Sequence, residues 1–170
     1  MKHFRTRTAA AGLIAMLVAL VAFVAVTQAE PPSGVTPTVL ARGHFPAFNV
    51  RSDPQGTIAD FRAHSTDPID LVVRQHDYAP HSTTGWHVHP GPVFITVTKG
   101  ELTYYELDDP CTPHVVKAND PNYPNAFVDS GGGHVVMNLT DQPAQDISVI
   151  TAPVNGAFRT NIDPPKANCG

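Results

Sequence analysis

Gly85-Trp86-His87-Val88-His89-Pro90-Gly91-Pro92-Val93 is the stretch on which the fold and its site turn. Histidines two residues apart on a strand project to the same face, because side chains alternate across the pleat. Neutral imidazole is the commonest protein ligand for a metal. Downstream come Gly100, His134 and Asn138. A third histidine on another strand can complete one side of a coordination sphere. Of nine histidines, His87, His89 and His134 have the spacing that such a site requires.

Working outward, seventeen prolines and twelve glycines interrupt the chain every few residues. They leave no room for a long amphipathic helix after residue 30. Residues 30–38 are rich in Pro, Ser, Gly and Thr and predict a flexible lead-in. Short apolar segments follow at 39–41, 70–74, 92–98, 102–106, 115–117, 134–139 and 146–152. Several are rich in Val, Ile, Thr, Phe and Tyr. Gly91-Pro92, Lys99-Gly100, Asp108-Asp109-Pro110, Asn119-Asp120-Pro121 and Gly131-Gly132-Gly133 mark turns between them. The pattern predicts an all-β barrel or sandwich, with one short helix at 56–63. There is no internal repeat, so one set of ligands is expected.

Residues 80–139 resemble the cupin superfamily. Its first motif is Gly, five residues, His-x-His, three or four residues, Glu, six residues, Gly. His87, His89 and Gly100 match; His81 stands at the first glycine and Val93 at the glutamate. Its second motif is Gly, five residues, Pro-x-Gly, two residues, His, three residues, Asn. Gly131, His134 and Asn138 match; Tyr123 and Asp129 replace the early Gly and Pro. The resemblance implies a single antiparallel β-barrel or jelly roll over 39–170. It also implies a divalent transition metal (Fe, Mn, Zn, Ni or Cu) on His87, His89 and His134. With Val93 in place of the glutamate, three neutral ligands leave the ion's charge uncompensated. Such a centre is a stronger Lewis acid and prefers an anionic ligand. Cupin-like enzymes with three-histidine iron cleave diketones or hydroxy-aromatic acids, or oxidise thiols. The resemblance therefore implies a dioxygenase-like or lyase activity on a small anionic substrate. The alternative is a non-catalytic cupin that holds a small molecule. Cupins often dimerise through sheet edges, which makes a homodimer an expectation as well.

The N-terminus has its own signature. Lys2, Arg5 and Arg7 precede a continuous apolar run, and Thr27-Gln28-Ala29 follows it. This is the layout of a secretory signal peptide over 1–29. An uncleaved membrane anchor is the competing reading, and both place the remainder outside the cytoplasm. The leader holds three of the eleven Lys and Arg and none of the fifteen Asp and Glu, which leaves 30–170 at −7. An acidic domain without a basic stripe argues against a nucleic-acid partner. Cys111 and Cys169 are the two cysteines, and an isolated pair in an exported chain predicts a disulfide.

Other residues take ordinary roles by default. Trp86, which alternates with the histidines, packs away from them. His81 is a turn residue, with a substitute ligand or proton shuttle as its other reading. Asn138 is a hydrogen-bonding residue, and its Asn-Leu-Thr sequon is discounted as buried. Glu106 shares a strand face with Tyr104, opposite Tyr105; pointing inward, it would be an acid, base or replacement ligand. Arg74 is a solvated arginine unless it steers an anion. No nucleophile elbow, phosphate-binding glycine loop or zinc-protease helix motif is present.

Overall fold

The computed structural model describes residues 31–52, 60–167 and 169. The leader lies outside the described residues, as does the first half of the expected helix at 56–63. The described part of that helix is a turn followed by strand, because 62–65 pair with 48–51. Among the described residues there is no helix at all.

Twelve strands follow in order. They are β1 (Ser33–Phe45), β2 (Phe48–Arg51), β3 (Arg62–Ser65), β4 (Ile69–Thr83), β5 (His87–Val88) and β6 (Val93–Lys99). Then come β7 (Glu101–Glu106), β8 (His114–Lys117), β9 (Ala126–Asp129), β10 (His134–Asn138), β11 (Ala144–Pro153) and β12 (Thr160–Asn161). Ten of them form one antiparallel sheet and β2–β3 a separate hairpin. One wall reads β1-β4-β11-β6-β9 and the other β12-β5-β10-β7-β8. β4 joins them: its first ten residues pair with β11, while Ser82 and Thr83 cross over to β10. The result is a nearly closed barrel.

The core lies between these walls. Val93, Ile95 and Val97 of β6 alternate inward and pack with Val72, Leu102, Val116, Phe127, Val136 and Ile150. Gly100 makes the β6–β7 turn with φ +72°, and a Cβ there would come within 2.8 Å of Pro143 O. The position needs glycine for both conformation and space.

The lead-in expected at 30–38 is strand from Ser33 onward. Val35, Thr36, Pro37 and Thr38 pair with Tyr78, Asp77, His76 and Gln75 of β4. Proline is tolerated there because β1 is an edge strand with one face of its ladder open. β1 is exposed along nearly its whole length, so backbone pairing and one polar anchor hold it. Buried Asp70 accepts from Arg42 Nε at 2.5 Å, lies 3.1 Å from His44 Nδ1 and accepts from Asn155 N at 2.8 Å. At the other end of the chain, Cys111 and Cys169 are joined by a disulfide across 58 residues.

Candidate metal centre

The structure brings the three histidines of the sequence pattern together. His87 opens β5, His89 follows it, and His134 opens β10 directly opposite His87 in the ladder. Ring centroids are 4.4 Å apart for His87–His134, 4.9 Å for His87–His89 and 5.4 Å for His89–His134. Each offers a ring nitrogen within 4.8 Å of the other two, and all three are buried. Gly133, at φ +108°, lets the chain turn into His134 hard against Val88.

Hydrogen bonding decides which nitrogens face inward. Nδ1 of His87 donates to Gly85 O at 2.8 Å, and Nδ1 of His89 to Phe158 O at 2.6 Å. Nδ1 of His134 lies 3.1 Å from Asp129 Oδ2, close but poorly aligned. Carbonyl and carboxylate oxygens only accept, so each Nδ1 carries the proton. Each Nε2 then keeps its lone pair, the state a metal ligand needs. Electrostatics agrees. Burial, then the neighbouring His134 and Arg159, drives the His87 pKa far below its ordinary value. Burial holds His89 down to about 4 despite the bond to Phe158. Two of the three imidazoles are therefore neutral at pH 7. The donor set suits a borderline divalent transition metal rather than calcium or magnesium.

Val93, at the family's glutamate position, is buried and lines the chamber. It gives the site no carboxylate. The other candidates sit elsewhere. His81 has φ +55° and is exposed, 2.8 Å from Asp141. Asn138 is fully buried and holds a turn, donating to Ala79 O and Gln142 O and accepting from Thr140 N. Trp86 is buried. Glu106 pairs with His134 in the ladder but faces a separate cavity of about 230 Å³ with Asp129 and Ser130.

Several chamber residues carry no sequence motif. β4 sends Asp70, Val72, Arg74, His76 and Tyr78 inward, and β11 sends Asp146 and Ser148. Arg74 is 8% exposed rather than solvated. Its guanidinium carbon lies 4.8 Å from the Phe158 ring centre. Asp146 accepts from His76 Nδ1 at 2.8 Å and from Tyr78 O–H at 2.7 Å. That fixes the His76 proton on Nδ1 and leaves Nε2 for the cavity. Arg159 comes from the segment before β12, donating Nε–H to Asn161 Oδ1 at 2.9 Å and Nη2–H to Thr84 O. Polar residues facing inward on two central strands reverse the usual amphipathic sense, which marks a working interior.

Two cavities meet here. A chamber of about 20 Å³ reaches His87, His89 and His134. An outer cavity of about 350 Å³ opens between β1, β4 and the β12 segment. Arg74, His76, Thr84 and Arg159 line both.

No curated protein matches the chain. The structure is similar to that of an uncharacterized conserved protein with a double-stranded β-helix domain from Klebsiella pneumoniae subsp. pneumoniae MGH 78578. Identity is 27%, coverage 55% of this chain and 75% of that one, and TM-score 0.44. It is also similar to an oxalate oxidase in complex with the substrate analogue glycolate. There identity is 22%, coverage 54% of this chain, and TM-score 0.44; the match spans 46% of that chain's length. A third similar structure is the polyketide cyclase RemF from Streptomyces resistomycificus, at 16% identity, 81% and 78% coverage and TM-score 0.49. The family described as Cupin domain matches over 75–150, which contains every residue of both motifs from His81 to Asn138. Residues 75–150 of this chain thus match a cupin domain.

Proposed function

We propose that this cupin is an exported protein that holds one divalent transition metal on Nε2 of His87, His89 and His134. Its chemistry is that of a metal-dependent oxygenase or lyase acting on a small anion. The observation that carries the reading is the convergence of the three rings, with Nδ1 of His87 and His89 hydrogen-bonded to backbone carbonyls and Nδ1 of His134 3.1 Å from Asp129, which leaves the Nε2 lone pairs for one ion. A bound ion would supply Lewis acidity toward an anionic donor.

The chain's own residues supply the remainder. Val93, Ile95 and Val136 give the chamber apolar walls that exclude bulk water. His76, oriented by Asp146, is placed to take or give a proton at Nε2. Glu106 and His81 point away from the chamber, which weakens an enzyme reading built on them; His76 is the inward acid–base group that supports an enzyme over a passive binder. The Cys111–Cys169 disulfide supports an oxidising, extracytoplasmic location. Dimerisation through the open edge of β1 belongs to the same reading.

The test is elemental analysis of the purified protein beside a His87→Ala/His134→Ala variant. About one transition metal per wild-type chain, absent from the variant, is expected. No metal after incubation with Fe(II), Mn(II), Zn(II), Ni(II) and Cu(II) would reject the proposal.

A further inference from the structure

Arg74 and Arg159 meet where the two cavities join. The Nε of Arg74 is buried without a hydrogen-bond partner. Its other contact is with the Phe158 ring, which carries no charge. Arg159 donates to an amide oxygen and a backbone carbonyl, both neutral. Among the ion pairs of the described residues, neither guanidinium takes part. Asp146 is the nearby anion, but its two oxygens are committed to His76 and Tyr78. The two cations also repel each other: burial and the Arg74 charge together bring the Arg159 pKa down to about 10.

The Asp146 carboxylate attracts Arg74 without forming an ion pair with it, so one carboxylate faces two guanidinium charges, and keeping the surplus positive charge in a low-dielectric interior is unfavourable. Proteins keep such pairs where a ligand supplies the missing charge. Ser148 adds a second unpartnered group, its buried Oγ lying in the lining of the same chamber.

We infer that Arg74 and Arg159 form a carboxylate clamp at the passage between the cavities, which selects a small organic carboxylate as the ligand of this site. Shape favours carboxylate over phosphate. The inner chamber of about 20 Å³ admits a group of one or two atoms, and the outer cavity of about 350 Å³ takes the rest. A planar two-oxygen group fits between two forks and leaves an adjoining donor atom pointing at the histidines. A tetrahedral phosphate does not match the planar forks in this way, and its remaining oxygens would have to lie in the outer cavity. The inference rests on the proposed metal reading only for what the ligand's inner end touches. The clamp itself needs no ion.

Calorimetric titration of the purified protein in EDTA tests it, with glycolate, succinate, glycolamide and inorganic phosphate as probes. Saturable binding of glycolate or succinate is expected, at least tenfold tighter than glycolamide. Arg74→Gln and Arg159→Gln should each weaken the carboxylate at least tenfold, and Arg74→Lys should restore part of it. The wild-type comparison of acid with amide needs no variant and stands even if a variant misfolds. Equal binding of glycolate and glycolamide, preference for phosphate, no carboxylate binding, or wild-type affinity in both folded Gln variants would each overturn the clamp. Carboxylate binding that persists in a protein unable to hold any metal would sink the metal reading and leave the clamp standing.

Discussion

Asp129→Asn isolates the contact that fixes the third histidine. Oδ1 of Asp129 accepts from Gly131 N at 3.0 Å, and Oδ2 lies 3.1 Å from His134 Nδ1. Burial by itself would raise this carboxyl, but the His134 and Gly131 contacts outweigh it and hold it below its usual range. An amide offers one acceptor and one donor group in the same space. With its oxygen toward Gly131, its NH2 opposes the His134 N–H. The ring then turns away or moves its proton to Nε2, and either way the inward lone pair is lost. With the amide flipped, His134 keeps an acceptor, but the Gly131 N–H loses a bond of about 1 kcal/mol. Removing a group that orients a metal-bound histidine typically weakens the metal 10–100-fold, or about 1.4–2.8 kcal/mol. Competition against a chromophoric Zn(II) chelator measures that affinity, and the Co(II) electronic spectrum reports loss of one nitrogen ligand. We expect D129N to bind Zn(II) about 10–100-fold more weakly, with a metal-free Tm a few degrees lower. Wild-type Zn(II) affinity and an unchanged Co(II) spectrum in D129N would refute the orientation argument.

Three further outcomes follow from the same structure. Val93→Glu puts a carboxylate into the chamber at the family's ligand position. Burying it alone destabilises the metal-free protein by several kcal/mol, while Mn(II) or Zn(II) should bind at least about tenfold tighter than in wild type; an equal metal-induced rise in Tm in both proteins would contradict this. Asp70, held at about 2 by the Asn155 N–H and then Arg42, lies below its ordinary value of 3.8. Its stabilisation is complete above about pH 4 and lost as pH falls from there through 2, so hydrogen exchange in β1 should accelerate over that window, and D70N should show fast exchange already at pH 7. Reducing the Cys111–Cys169 bond, which spans 58 residues, should lower stability in urea by at most about 4 kcal/mol by the chain-entropy argument; no difference between oxidised and reduced protein would show that the tail contributes nothing to the fold.

The strands that resist misreading in the sequence are those with apolar residues at every second position. Val93, Ile95 and Val97 announce β6 and its inward face. Gly100 announces the turn after it, and His87, His89 and His134 are local enough to be read from spacing. The strands that were missed or misread lack such a signature. β5 and β12 have two residues each, and only pairing with each other and with β10 makes them strands. β1 looks like a lead-in because its prolines and threonines favour no regular structure by themselves; the open edge of β4 orders it. The site residues that were missed share one cause. Arg74, His76 and Tyr78 recur at a period of two, which says they share a face but not which face. By composition that face is the wet one.

By itself, then, the sequence determined the β class, the turns, the spacing of the histidine pair, the missing glutamate at Val93 and the two cysteines available to pair. Each of these is a local property, set by backbone conformation or spacing within a few residues. Tertiary structure alone decided that β4 and β11 turn their charged sides inward and that Asp146 meets His76 and Tyr78 across about seventy residues. It also decided that Arg159, brought back by β12, comes to stand beside Arg74. The physical reason is register. A pleated strand has two equivalent faces, and only closure of the barrel against β10 and β6 settles which one meets water.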